Sequence, residues 1–223
     1  MTLISQSPPL DPRTAAVVRG VSPVRLQPYV TAAGGTVRDG VRLYQWNIDL
    51  SGAMYESLHV FEVFLRNAMD SQLCRWNAGQ RDRTTGSAHS ADWLMDPAPL
   101  LVRLAGRDIR EATSRAQRAV RSGQPQGRPA IHADVLAQLS LGTWRYLLPD
   151  RDPGRQRLWS DALSQAFPHL TGTGRDLTRQ VAGILQIRNR VAHLEPLLAE
   201  LKAKLPRDVD FVAVPAAFGG PWR

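Results

Sequence analysis

Residues 54–76, MYESLHVFEVFLRNAMDSQLCRW, decide the fold class. Met54, Leu58, Phe61, Leu65, Ala68 and Trp76 recur at spacings of three, four or eight, and Leu73 falls on the same side. That is the period of an amphipathic helix, not the alternation of a strand. Ser51 is a plausible cap for its start. The following residues 77–92, NAGQRDRTTGSAHSAD, are small and polar and read as a loop.

Outward from this helix the pattern stays helical. Pro97 and Pro99 suit the start of a second helix over about 98–121, ended by Gly123 and Pro125. A third apolar stretch covers about 131–148, with Gly142 interrupting it. A fourth helix covers about 155–167, with Leu158, Trp159, Leu163 and Phe167 on its apolar face. TGTG at 171–174 reads as a loop, and the last strong helix runs from about Arg175 to His193. Glu195-Pro196 interrupts it, because proline lacks the ladder donor and pushes its predecessor out of the α region. Pro196 then permits a further segment over 196–204. On the N-terminal side, Ser22-Pro23 offers a short helix from Val24 to Ala33. Residues 37–47 end in Tyr44 and Trp46. No alternating run of useful length precedes Asp210-Phe211-Val212, and no repeat or Gly-rich phosphate loop is found. The expectation is an all-α chain: an irregular arm over 1–21, one helical domain over 22–205 and an irregular tail over 206–223.

Composition narrows the class. The chain is 223 residues long, 43% hydrophobic and 22% charged, which is ordinary for a globular protein. No apolar run approaches the roughly 18 residues of a membrane span, and the N-terminal sequence lacks a secretory pattern. Cys74 is the only cysteine, which makes an internal disulfide impossible and excludes thiol-based metal clusters. A cytoplasmic setting follows as the expectation. The net charge is +8; only Lys202 and Lys204 are lysines, so 26 of the 28 basic residues are arginine. Arginine binds phosphate through a planar fork, so nucleic acid is a natural partner. A GC-rich genome gives the same composition without selection for binding.

The chemistry-bearing stretch is IRNRVAHLEP at 187–196. His193 stands beside several basic and polar groups near a helix end, with Arg188 five residues earlier. RNA cleavage by its own 2′-hydroxyl needs one proton taken, one given, and charge stabilised on a phosphorane. Histidine exchanges protons near neutral pH, and arginine stabilises phosphoryl charge. On a straight helix five residues turn through about 500°, leaving the two side chains about 140° apart. One chain therefore does not focus both on one atom without distortion or a second copy. This chemistry requires no metal, and the chain offers no convincing metal set: there is no Cys pair, His-x-x-x-His or His-Glu-x-x-His, so no metal-ligating residues are expected. His59, His89, His132 and His169 have no partner legible in the sequence. By spacing alone, His193 also reads as a helix-terminal histidine with solvated arginines beside it.

Arg188-Asn189-Arg190-Val191-Ala192-His193 resembles the Arg-x4–6-His motif of the HEPN ribonuclease superfamily. The continuation Leu194-Glu195-Pro196 is similar to its abortive-infection (Abi-like) proteins. So is YQWNIDLSGAMYESLHVFEVFLRNAMDSQL at 44–73, with Glu62, Arg66 and Asn67 in E-x-x-x-R-N. LSLGTWRYLL at 139–148, LW at 158–159 and AFP at 166–168 follow in the same order. The resemblance covers about 22–198. It implies a HEPN-type helical bundle with extra helices, and a homodimer that brings two motifs into one cleft. It implies metal-independent RNA cleavage, without a cofactor, in phage defence or toxin–antitoxin systems, with an RNA or protein antitoxin as a further partner. Arg188, Asn189 and His193 would be catalytic, with Glu62, Arg66, Asn67, Arg190 and Glu195 behind them. Leu194 stands where the family often has a second histidine, and the tyrosine of nucleotidyltransferase-controlled toxins is missing.

Arg103, Arg107, Arg110, Arg118 and Arg121 fall within roughly 80° of arc on the second helix. They read as an RNA phosphate track or as a solvated face. Trp76, Trp93, Trp144 and Trp159 read as core anchors. Two competing readings remain: a non-catalytic HEPN-type module binding RNA or protein, and a basic DNA-binding regulator. The regulator ranks last, because no compact helix-turn-helix is found.

Overall fold

The computed structural model describes residues 10–123 and 128–197. Among them the chain is all-α, with one isolated bridge between Arg81 and Ala88. The helices are α1 (Pro12–Val21), α2 (Pro23–Ala32), α3 (Val37–Ala78), α4 (Pro99–Gly123), α5 (His132–Leu136), α6 (Leu141–Leu147), α7 (Pro153–Asp161) and α8 (Gly174–Ala192). A 3₁₀ turn covers Leu163–Ala166. No described helix is long and apolar enough to cross a membrane. The chain divides into two compact units. One comprises residues 1–57 and 187–223, the other 58–186. The expected tail over 206–223, and most of the segment over 196–204, lie outside the described residues.

In the first unit the expected N-terminal arm is a helix over Pro12–Val21. Pro12 is tolerated because a first-turn N–H has no helical partner anyway. Asp11 caps the turn: its Oδ1 accepts from the N–H of Arg13 at 3.1 Å and of Thr14 at 3.0 Å. Leu26, Tyr29, Ala33, Val41 and Leu43 form the small core, with Tyr29 and Tyr44 edge to face at 5.2 Å. Gly40 permits this packing. A Cβ there would stand 2.5 Å from Val30 Cγ2 and 2.8 Å from Val30 Cα.

α3 starts at Val37, well before the expected cap at Ser51. Ser51 is interior to the helix and buried, and its hydroxyl donates to the Asn47 carbonyl at 2.7 Å. That bond back along the helix satisfies the hydroxyl and removes its value as a helix start.

In the second unit α3 supplies Leu65, Met69 and Leu73, and α4 supplies Leu101, Ile109 and Ala112. Trp93 and Trp144 are fully buried and meet edge to face at 6.1 Å. α4 packs against α5, α6 and α7. The apolar stretch 131–148 is two helices. Its break comes at Ser140, whose Oγ accepts from the Thr143 N–H, and Gly142 lies inside α6. α7 is shorter than the expected fourth helix, which continues as the 3₁₀ turn. Trp159 stacks on Phe167 at 5.8 Å.

The TGTG segment is a loop through Thr173, and its last residue, Gly174, opens α8. Thr173 Oγ1 accepts from the Asp176 N–H at 3.2 Å, and Asp176 Oδ2 accepts from the Thr173 N–H at 2.9 Å. This reciprocal pair is a capping box. Gly174 is required by close packing, since a Cβ would lie 2.6 Å from Trp159 Cε2. The Thr173 hydroxyl, then its N–H and Arg179, hold the Asp176 carboxyl down to about 2. A depressed carboxyl stabilises the fold above its ordinary value near 4 and loses that contribution as pH falls through about 2. Thr173→Ala is expected to cost about 1 kcal/mol in urea unfolding at pH 7. That penalty is expected to shrink as acid protonates Asp176. A pH-independent penalty would remove Asp176 from the cap.

Candidate functional site

The first unit holds the end of α8, where the helix stops at Ala192 and His193 is its cap residue. Three backbone bonds close the turn: His193 N–H to Asn189 O at 2.9 Å, Leu194 N–H to Val191 O at 3.1 Å, and Glu195 N–H to Arg190 O at 2.8 Å. The last two are the paired bonds of a Schellman motif. The motif needs a left-handed residue, ordinarily glycine. Here it is Leu194, with φ +55°. A side chain in that region costs roughly 1–2 kcal/mol.

Neighbouring helices hold this turn. Arg25 Nη2 donates to the Leu194 carbonyl at 2.7 Å. Asn47 Oδ1 accepts from the Leu197 N–H at 2.9 Å in a buried bond. Neither Arg25 nor Asn47 is legible as a site residue in the sequence, because their partners lie 169 and 150 residues away.

Arg188 is half-buried, whereas Asn189 and His193 are exposed. Arg188 Nη1 reaches Asn189 Oδ1 at 3.5 Å, a long contact. Arg190 is half-buried, and Glu195 is exposed just beyond the turn. A cavity of about 440 Å3 adjoins the turn, bounded by Tyr44, Asn47, Ile48, Ser51 and Tyr55 of α3, with Arg25, Val191, Ala192 and Leu194. Its wall is mostly apolar, and neither Arg188 nor His193 lines it.

Glu62, Arg66 and Asn67 lie on α3 within the second unit. No ion pair joins Glu62 to Arg66, and the buried Arg66 Nε has no hydrogen-bond partner among the described residues. The five α4 arginines are all exposed. Arg103 is committed to Asp152 through two bonds, at 3.0 and 2.8 Å, and Arg107 to Glu111 at 2.9 Å. Among the described residues these pairings leave Arg110, Arg118 and Arg121 as the members of the stripe without an ion pair.

Two histidines of this unit do have partners. His89 Nδ1 lies 2.9 Å from Asp96 Oδ1. His132 bridges two carboxylates, with Nδ1 2.7 Å from Asp92 Oδ1 and Nε2 3.0 Å from Asp70 Oδ1. The bond to Asp70, reinforced by Asp92, raises His132 to about 9 against the opposing effect of burial. Burial, with the charges of Asp70 and Asp92, pushes the Cys74 thiol up to about 11. His132 lies 62 residues from Asp70 and 40 from Asp92, so no local spacing announces the group. Its only sequence signal is Asp70 and Cys74 four apart on one helix.

The described fold and the helix-end site define an all-α chain with a basic turn bearing an exposed histidine. Comparison with known proteins finds no match among family models, curated proteins or solved structures.

Proposed function

We propose that the chain is a metal-independent HEPN-type endoribonuclease of bacterial phage defence or toxin–antitoxin type, acting as a cytoplasmic homodimer on RNA. The observation that carries this reading is the end of α8. An exposed imidazole sits there at the cap, five residues after a half-buried arginine, on a turn held by Arg25 and Asn47. His193 exchanges the protons of the 2′-hydroxyl and the leaving 5′-oxygen. Arg188 binds the phosphoryl oxygens and the charge that grows on them. Asn189 orients Arg188 through its side-chain oxygen. A second copy supplies the facing Arg188 and His193. Arg110, Arg118 and Arg121 add phosphate contacts, and binding weakens steeply with salt.

A second reading rests on the cavity. Its mostly apolar wall excludes both Arg188 and His193, and such a surface suits a partner bound without chemistry. The deciding test incubates the folded chain with total RNA and a defined single strand in EDTA, with folding checked in the same buffer by circular dichroism. Cleavage leaving 2′,3′-cyclic phosphate and 5′-hydroxyl ends is the expected result. A folded dimer that retains RNA on a filter but leaves it intact would replace the ribonuclease with the binding module.

A further inference from the structure

We propose that Asp70, Cys74 and His132 form a binding site for a divalent transition-metal ion of the zinc type, with Asp92 orienting the histidine. Three different donors converge here within the second unit. Asp70 and Cys74 lie four residues apart, so one face of α3 presents both. His132 opens α5, 62 residues beyond Asp70. The carboxylate oxygen, the thiol sulfur and the ring nitrogen lie within 4.8 Å of one another. Four-coordinate zinc takes sulfur at about 2.3 Å and nitrogen or oxygen at about 2.0–2.2 Å, which sets tetrahedral donors about 3.3–3.7 Å apart. Asp70 Oδ1 is already 3.0 Å from His132 Nε2 and 3.9 Å from Cys74 Sγ. Closure around an ion takes side-chain shifts of about an ångström.

The surroundings favour the same assignment. His132 Nδ1 faces Asp92 while Nε2 faces the other two donors. A carboxylate behind a ring nitrogen is what fixes the tautomer and the direction of a metal-bound histidine. Trp93 Nε1–H donates to Asp70 Oδ1 at 2.7 Å and holds that carboxylate in place. The Asp70 and His132 side chains are 16% and 25% exposed, which leaves access for the ion and for a water as fourth ligand. A set of one sulfur, one nitrogen and one oxygen suits zinc or cobalt. Calcium and magnesium take oxygen alone. Binding displaces one proton from the thiol and one from the imidazole, so two positive charges replace two protons. The ion then links α3 to the start of α5, independently of any chemistry at Arg188 and His193.

The test uses the full chain, stripped with a chelator and titrated with Co2+. Cys74 is the sole cysteine, so a thiolate-to-cobalt charge-transfer band reports this site alone. The expected result is a band saturating at one ion per chain and bleached by Zn2+. Cys74→Ser should abolish it, and His132→Gln should weaken cobalt binding at least tenfold. Asp92→Asn should keep the stoichiometry while weakening binding about 10- to 100-fold. Zn2+ should also raise the melting temperature of the wild type but not of Cys74→Ser. A folded wild type with neither the band nor the zinc-dependent rise would overturn the site, leaving His132 as a charged bridge between two carboxylates. A band indifferent to His132→Gln would overturn the ligand set.

Discussion

Asn77→Ala is expected to lower the unfolding free energy by about 3 kcal/mol or more, because three backbone groups lose their partner together. Asn77 is fully buried. Its Nδ2 donates to the carbonyls of Ser90 at 2.7 Å and Asp96 at 2.8 Å, and its Oδ1 accepts from the Ala98 N–H at 2.9 Å. One side chain thus fixes the long polar connection after α3 and the turn that starts α4. A buried polar group left unsatisfied costs about 1–3 kcal/mol, and alanine strands three. Asn77→Asp tests the directionality. A carboxylate is an acceptor only, so it would face two carbonyls at the positions where the amide donates. That variant is expected to be at least as unstable as Asn77→Ala at neutral pH. It should recover part of the loss in acid, where the protonated carboxyl again donates. Denaturant unfolding of the three proteins at pH 7 and pH 5 measures this. A loss under about 1 kcal/mol for alanine would mean that water replaces the amide.

How far the sequence reaches depends on whether a residue answers to its neighbours along the chain. The apolar repeat through Leu65, Leu73 and Trp76 announces α3, and burial follows that stripe. The first half of α3 hides because Gly40, Asn47, Ser51 and Gly52 all weaken a local helical signal. Gly40 and Asn47 are explained only by contact: Gly40 by Val30 pressing on it, Asn47 by the Leu197 N–H. Thr173 looks like loop composition until Asp176 is seen returning its bond. The end of α8 is legible from Glu195-Pro196. The left-handed turn at Leu194 is not, since leucine carries no preference for it. Arg155 is a larger omission. It is 3% exposed, donates to the Leu148 carbonyl, pairs with Asp150 and lies 4.7 Å from the Tyr146 ring centroid. Nothing in DRDPGRQR separates it from its solvated neighbours. The candidate site divides the same way: the Arg188–His193 spacing is linear and readable, while the grouping of Asp70, Cys74, Asp92 and His132 exists only in three dimensions.

Under the ribonuclease reading, His193→Ala and Arg188→Ala are each expected to reduce RNA cleavage by about 10²- to 10⁴-fold. Neither change should unfold the chain. His193 is exposed, and its bond to Asn189 O uses the backbone N–H that alanine keeps. Among the described residues Arg188 makes only a long contact, to Asn189. A loss of activity with unchanged melting would therefore report chemistry and not collapse. Mixing the two inactive variants then separates the dimeric site from a site in one chain. If Arg188 and His193 act across two copies, a mixed dimer contains one intact pairing and one doubly defective one. Random exchange makes about half the dimers mixed, so roughly a quarter of the wild-type sites return. Recovery of that order after unfolding and refolding the mixture together supports the shared cleft. No recovery from a mixture that forms dimers would place both groups of each working site in the same chain. α8 would then have to distort at its C-terminal end to turn Arg188 toward His193.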